Sequence, residues 1–315
     1  MTRSNSIVIE TVDCPRCGTA EASLIATTRD FCYSTCDDEF RYVRCDSCGQ
    51  LYLRDRPAVS ELGTIYPKTY LSNDYRKNLG NVIASAREWV QSKRLDPARR
   101  FVQTGDAVVD IGAGSGDLLT LWRSKRGPAL RLFGVDISER CIEQMRARGI
   151  DPILGRIEEI DWKGPPAAVV TMFQLIEHVA RPFETLAKVR DILRPGGALL
   201  LETPSSDSWD ARVVPPRYWA GWHAPRHWTV FDEKGLCRLL EDAGFEIIAV
   251  KYTLSPFIWL HTFQYWLKER VGVPKIARYI DVWNPIALVG ACVLDVAQLV
   301  VRRRTSNMQI LARKL

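Results

Sequence analysis

Glu177 and His178 stand side by side in Phe173-Gln174-Leu175-Ile176-Glu177-His178-Val179. Two more histidines, His223 and His227, share the stretch Trp219-Ala220-Gly221-Trp222-His223-Ala224-Pro225-Arg226-His227-Trp228. Imidazole titrates near neutrality, so a histidine can take a proton from an acceptor group, and a neighbouring carboxylate can orient it. These four residues are the expected catalytic set. A helix cap or a backbone hydrogen bond is an alternative role for His178. The tryptophans can wall a pocket for a ring or an apolar chain, and Arg226 can fork onto a carboxylate or phosphate. Packing over a sheet accounts for the tryptophans as well, but poorly for the His-Arg-His grouping.

A second constellation is a ligand-binding turn. Val108-Val109-Asp110-Ile111-Gly112-Ala113-Gly114-Ser115-Gly116-Asp117 runs from an apolar strand through glycines into a helix. Glycine lets the backbone turn sharply and approach a ligand. Asp136 closes the next strand, where a carboxylate can accept from both hydroxyls of a ribose. The spacing is G-x-G-x-G rather than the G-x-G-x-x-G of dinucleotide-binding turns. Asp110, two residues before the first glycine, would repel a pyrophosphate and suits the ammonium of a methionine moiety.

The elements that position these residues alternate apolar strand with amphipathic helix, which predicts βαβ units and a parallel sheet. Strands are expected at 107–111, 131–136, 151–154, 167–173 and 197–203. Helices are expected to begin near Asp117, Glu139 and Pro182. A helix at 232–243 leads to strands at 245–253 and 307–314. The ends of the strands carry both the glycine turn and the Glu177-His178 pair.

Asp110 to Gly116, Asp136 and the late loop Leu193-Arg194-Pro195-Gly196-Gly197 together resemble the class I S-adenosylmethionine (SAM)-dependent methyltransferases, over about 105–253 plus the last strand. The resemblance implies SAM as cofactor and an α/β fold. That fold is a Rossmann-like seven-stranded sheet with a reversed final hairpin. Leu154-Gly155-Arg156-Ile157-Glu158 departs from the family, with Arg156 where an acidic residue often meets adenine. Adenine then falls to backbone amides near Ile157 or to Glu158. Glu177-His178 with the later histidine loop resembles quinone-biosynthesis O-methyltransferases and bacterial methyltransferases of secondary metabolism and surface-polysaccharide synthesis. In that group, residues like Tyr66 and Tyr70 lie over the cofactor. The implied cofactor contacts are Asp110, Gly112, Gly114, Gly116, Asp136, Ile137, Ile157, Glu158, Gln174, Tyr66 and Tyr70.

Cys14-Pro15-Arg16-Cys17-Gly18 and Cys45-Asp46-Ser47-Cys48-Gly49 are two C-x-x-C-G knuckles separated by 27 residues. Paired thiolates at this spacing bind tetrahedral zinc, and four of them close the coordination sphere, so Cys14, Cys17, Cys45 and Cys48 predict a structural Zn2+. Cys32 and Cys36 are left open as substitutes, a second site or buried thiols. Cys141, Cys237 and Cys292 read as core residues of helices.

The expected organisation is a zinc-ribbon-like module at 1–56, a helical linker and cofactor cover at 57–104, and a methyltransferase domain at 105–315 with a helical insertion at 254–304. The first ten residues show no signal-peptide pattern, which predicts a cytoplasmic, reducing setting for the nine cysteines. The net charge is +6; residues 251–315 carry +7 and the rest −1. The zinc module is not markedly basic, so a nucleic-acid partner is not expected, although some ribosomal-RNA methyltransferases place a zinc module ahead of this fold. The favoured acceptor is a small molecule, methylated on oxygen and hydrophobic or lipid-linked. A non-catalytic SAM-binding protein is the remaining reading. The insertion is apolar, places Asp295, Gln298 and Arg302 on one helical face, and ends on Arg302-Arg303-Arg304. Asp295 argues against a membrane span, and the open roles are peripheral membrane contact, a lid or a dimer contact.

Overall fold

The computed structural model describes residues 6–67, 81–123 and 129–315. The N-terminal part holds β1 (Ile9–Thr11), β2 (Ala22–Arg29), β3 (Glu39–Cys45), β4 (Leu51–Leu53) and β5 (Asp55–Pro57). The main sheet follows with β6 (Ala107–Ile111), β7 (Arg131–Asp136), β8 (Asp151–Leu154), β9 (Ala167–Phe173) and β10 (Leu193–Pro204). The short β11 (Thr229–Val230) precedes β12 (Phe245–Thr253) and β13 (Asn307–Lys314).

The main sheet has seven strands in the order β12-β13-β10-β9-β6-β7-β8. Strands β8, β7, β6, β9 and β10 run parallel, and β13 is antiparallel to both β10 and β12. The chain starts at β6, builds outward through β7 and β8, then crosses back to β9 on the other side. That reversal opens a crevice at the carboxyl ends of β6 and β9, where doubly wound sheets bind ligands.

Parallel strands are covered on both faces, so they read as continuous apolar runs rather than alternating ones. All five residues of β6 are buried. Val109, Ile111, Val170, Met172, Leu199 and Leu201 pack on one face with the helices Pro182–Ile192 and Glu233–Asp242. Val108, Val169, Leu200 and Leu311 pack on the other with Glu139–Ala147 and the end of Asn81–Arg99.

The sheet strand expected at 197–203 is longer: Leu193 is already paired with Ala167, and the register shifts between Leu193 and Ala198. Leu193-Arg194-Pro195-Gly196-Gly197 is therefore a bulge inside a strand, not a loop. Leu193 sits in the core, and Gly196 supplies a φ of 70°. At Gly197 a Cβ would come within 2.9 Å of the Arg194 carbonyl oxygen, so the bend needs glycine there.

The N-terminal part is built into the rest of the molecule. β2, β3 and β4 form an antiparallel sheet whose fourth strand is β11, from the end of the histidine loop: Thr229 faces Tyr52 and Val230 faces Leu51. The Gln50 side chain donates to the Val230 carbonyl at 2.8 Å. Between β12 and β13 the insertion folds as the helices Pro256–Trp266, Pro274–Ala277 and Pro285–Arg302, with a π-helical turn at Leu267–Val271.

Candidate active site

The glycine turn and Asp136 form one hydrogen-bonded unit. Gly112, Gly114 and Gly116 have φ of 77°, 54° and 79°, in the left-handed region that favours glycine. Gly112 and Ala113 donate their amides to the Val135 carbonyl, at 2.9 and 3.0 Å. The Gly114 amide donates to Asp136 Oδ2 at 2.8 Å, and the Ser138 amide to Oδ1 at 2.9 Å. A carboxylate oxygen has two acceptor sites, so Asp136 is pinned and can still accept from two hydroxyls.

The three glycines do different work. A Cβ on Gly116 would lie 2.6 Å from Ile150 Cδ1, so this glycine serves packing. A Cβ on Gly112 would crowd Leu175 at 3.2 Å. A Cβ on Gly114 would meet nothing within 4 Å among the described residues; it opens onto the cradle. An open backbone cradle between a pinned carboxylate and the sheet end fits the ribose and methionine portions of SAM.

Asp110 lies below the turn, 3% exposed, with Thr171 Oγ1 donating to its Oδ1 at 2.6 Å. Burial pushes its carboxyl up to about 7, and a cation arriving there would restore its charge. Ile137 is exposed beside Asp136. Ile157 is a core residue, and Glu158 is held by Thr185 at 3.2 Å and faces Arg156 at 3.7 Å. Gln174 turns the chain at the end of β9 with a φ of 53°. Its amide donates to the Glu202 carbonyl at 2.7 Å and its side chain to Asn307 Oδ1 at 2.9 Å. Tyr70 lies outside the described residues.

Two of the sequence-expected histidines, His178 and His227, close on Glu177. Its carboxyl is 1% exposed, and Thr203 Oγ1 donates to Oε2 at 2.8 Å. Its other oxygen, Oε1, is buried without a hydrogen-bond partner among the described residues. That oxygen lies 3.9 Å from His178 Nε2 and 4.0 Å from His227 Nε2. The far nitrogens are fixed by backbone carbonyls: His178 Nδ1 lies 2.9 Å from the Arg226 carbonyl oxygen and His227 Nδ1 2.9 Å from that of Gly221. A carbonyl only accepts, so both rings carry hydrogen on Nδ1 and turn the Nε2 lone pair toward Glu177.

Tyr66 adds its hydroxyl 2.9 Å from His178 Nδ1. The His178 and His227 rings are 4.7 Å apart and the His227 and His223 rings 5.0 Å apart. His223 thus stands one ring further out, at a φ of 40° and edge-on to Tyr33.

Burial sets the protonation. It pushes Glu177 up to about 8 and lowers His178 to about 4; His223 and His227 fall well below the usual imidazole range for the same reason. At neutral pH the cluster is a carboxylic acid among neutral imidazoles. Glu177, His178 and His227 also lie close enough together to converge on one cation.

Arg226 does not serve as an anion receptor. It is fully buried and forks onto Asp30, with its Nε donating to the Ile65 carbonyl at 2.7 Å. The tryptophans are spent on packing. Trp219, Trp222 and Trp228 join a core with Phe40, Leu51 and Leu53 of the N-terminal sheet. Tyr42 stacks on Trp222 at 4.3 Å, and its hydroxyl lies 2.8 Å from the carbonyl oxygens of Trp222 and His227. Pattern reasoning missed Asp30 and Tyr42, because their partners stand far away in the chain. It also missed a buried polar network: Glu202 binds Arg94 at 2.9 Å, Asn307 at 2.6 Å and Gln309 at 3.2 Å. Polar residues at Glu202, Asn307 and Gln309 inside otherwise apolar strands were its signal.

The four knuckle cysteines gather on one point. Cys14 Sγ lies 3.5 Å from Cys48 Sγ and Cys17 Sγ 3.5 Å from Cys45 Sγ, and all four sulfurs fall within 4.8 Å of one another. Gly18 and Gly49, at φ of 74° and 78°, return their amides to the Cys14 and Cys45 carbonyls. Tetrahedral Zn–S bonds of about 2.3 Å need sulfurs separated by about 3.8 Å, so the arrangement fits zinc. Cys36 packs in the N-terminal core and Cys32 is exposed; neither joins this cluster. Cys141, Cys237 and Cys292 lie on helices, with Cys141 buried and the other two partly so.

The methyltransferase-domain family model matches residues 86–250. A probable SAM-dependent methyltransferase of Mycolicibacterium smegmatis is 30% identical over 45% of this chain and 53% of its own length. A ubiquinone biosynthesis O-methyltransferase of Idiomarina loihiensis is 28% identical over 46% of this chain and 64% of its own. The chain spans about half the length of the first curated relatives it matches. Among solved structures, a chain from the complex between the Haloferax volcanii Trm112 methyltransferase activator and a methyltransferase matches with a TM-score of 0.53. It is 17% identical and covers 78% of this chain and 96% of that one, a likeness of fold alone. With more than half its length matched by the family, and with the glycine turn and paired carboxylates in place, the chain belongs to the methyltransferase-domain family, among the class I SAM-dependent methyltransferases.

Proposed function

We propose that the protein transfers the methyl group of SAM to an oxygen of a small, apolar or lipid-linked acceptor. One observation carries the choice of a proton-removing reaction: two imidazole Nε2 atoms face one oxygen of a buried carboxyl at 3.9 and 4.0 Å. SAM brings a methyl group already activated on a sulfonium, so the enzyme must place the acceptor in line and take its proton. Asp136, pinned by the Gly114 amide, holds the ribose side, and Asp110 faces the ammonium. His178 takes the acceptor proton once Glu177 is ionised, because the carboxylate then stabilises the imidazolium. His227 shares that carboxylate, and His223 lines the outer wall. Resemblance to a ubiquinone biosynthesis O-methyltransferase supports an oxygen on a quinone-like acceptor.

Zinc is proposed at Cys14, Cys17, Cys45 and Cys48 as a structural ion, since four thiolates leave no open position for chemistry. The test is a panel of phenols, polyprenylated phenols, amines and sugar hydroxyls, scored by formation of S-adenosylhomocysteine. Turnover confined to phenols, reduced about 10²–10⁴-fold by His178→Ala with SAM affinity retained, is the expected result. Turnover of amines alone, or an indifferent His178→Ala, would overturn the reading.

A further inference from the structure

The helix Pro285–Arg302 is inside out. Its exposed positions include Ile286 at 82%, Val289 at 62%, Val293 at 61%, Val296 at 46% and Val300 at 74%. Their spacing of three and four residues places them on one stripe. Its polar residues, Asp295 and Gln298, are turned inward and buried. Asp295 accepts from the Ser255 amide, from Trp259 Nε1 at 3.0 Å and from Gln298 Nε2 at 2.9 Å. Gln298 Oε1 in turn accepts from the Trp209 amide at 2.9 Å. The inner face is therefore specified by hydrogen bonds, and the orientation cannot be reversed without stranding a carboxylate. A lid over an apolar substrate would turn its aliphatic side chains inward; this helix turns them out.

We propose that this face lies on the surface of an anionic lipid bilayer. Exposed cations flank the stripe: Lys275 and Arg278 before the helix, Arg302 at its last position and Arg303 just after it. Tyr279 and Trp283, 59% and 61% exposed, stand at its start, the residue types that settle at the headgroup level. The helix is about 27 Å long and has the length and composition of a span. Its hydrogen-bonded inner face keeps it on the protein, so it lies flat rather than crossing. A second copy of this chain is a poorer partner. A two-fold contact along this helix sets the Arg302-Arg303 end against either itself or the Lys275-Arg278 end, cation against cation in both cases. Phosphate headgroups answer the same ring of charge.

The inner side of the insertion reaches the active site. The Ala220 amide donates to Thr262 Oγ1 at 3.0 Å, so the helix Pro256–Trp266 rests on the loop that carries His223 and His227. An enzyme seated this way meets an apolar acceptor at the bilayer surface.

The experiment is co-sedimentation of the full chain with vesicles of phosphatidylcholine alone and of phosphatidylcholine with phosphatidylglycerol. The expected result is binding to the mixed vesicles that weakens with salt. Arg302→Gln with Arg303→Gln should lower it about thirtyfold. Val293→Asp with Val300→Asp should lower it at least about tenfold while SAM binding, the check on folding, is unchanged. No binding to either vesicle would overturn the proposal. So would binding indifferent to the valine changes, or a dimer seen by light scattering that those changes dissolve, which would assign the face to a second copy.

Discussion

Arg226 presents both terminal nitrogens to the carboxylate of Asp30, at 3.1 and 2.9 Å, with both side chains completely buried. The pair joins the N-terminal sheet to the loop that carries the histidines. The Arg226 carbonyl also fixes the His178 ring, and its guanidinium lies 4.5 Å over the Tyr33 ring. The N-terminal part thus fixes the ring of the proposed base, and Arg226 is a positioning residue for it.

Removing one partner leaves the other charge buried. Arg226→Ala should destabilise the protein by about 3–5 kcal/mol in urea unfolding and lower turnover, whereas Asp30→Asn with Arg226→Met should recover most of the stability. Burial works to raise the Asp30 carboxyl, but Arg226 outweighs it and holds the group below its ordinary value of 3.8. The pair's stabilisation is therefore fully present above that value and disappears as pH falls below it. A single Arg226→Ala change with wild-type stability would show that the pair contributes nothing net.

Glu177 gives the opposite sign. Its carboxyl rises from an ordinary 4.5 to about 8, so the folded protein holds an extra proton between those values and loses stability as pH rises through that window. Glu177→Gln should match the wild type near pH 5 and unfold at a higher temperature near pH 9, with roughly 2–4 °C for each kcal/mol relieved. In the proposed mechanism the same ionisation readies His178 as base, so kcat/KM of the wild type should climb with pH toward a plateau above about 8. A flat profile in the wild type would remove Glu177 from the proton path.

Asp136→Ala removes a charged acceptor for two hydroxyls and releases the Gly114 amide that shapes the cradle. Loss of two charge-assisted hydrogen bonds, at about 1.5–3 kcal/mol each, should weaken SAM by two orders of magnitude or more in calorimetry. Near-normal affinity would place the ribose elsewhere.

Zinc removal should loosen the active site as well as the N-terminal sheet. Burial opposes ionisation of Cys45, but the Cys48 amide and the neighbouring thiols outweigh it and draw the group down to about 7. Cys45→Ser, or a strong chelator, should release about one metal by mass spectrometry and lower both the thermal midpoint and turnover. Metal release with unchanged turnover would mean the cysteine cluster does not support the histidine loop.

The parallel sheet was legible because its strands are unbroken apolar runs ending in chemistry: Asp110 before the glycines, Asp136 after Val135, Glu177 after β9. The observed β6, β7, β8, β9, β12 and β13 have the bounds that alternation predicts. The cysteine knuckles were legible because their spacing is local. Arg226 was misread because a guanidinium between two histidines resembles a receptor, and only the fold supplies Asp30, which lies 196 residues earlier. The tryptophans were ambiguous for the same reason: whether an indole lines a pocket or a core depends on what covers it, here Phe40, Tyr42 and Leu53.

The pairing of β11 with β4 also constrains the order in which the molecule can form. Synthesis delivers β2, β3 and β4 first, yet their sheet lacks its last strand until Thr229 and Val230 emerge. Until then the β4 edge is open, Tyr42 has no carbonyls to meet, and Asp30 has no guanidinium. An early-made segment that must wait for a late one closes a large loop at the end of folding, which is slow and leaves a strand edge available to other chains meanwhile. A zinc ion held at the four cysteines, by pinning Cys14 and Cys17 to Cys45 and Cys48 before the histidine loop exists, would hold that half-built sheet in register while it waits.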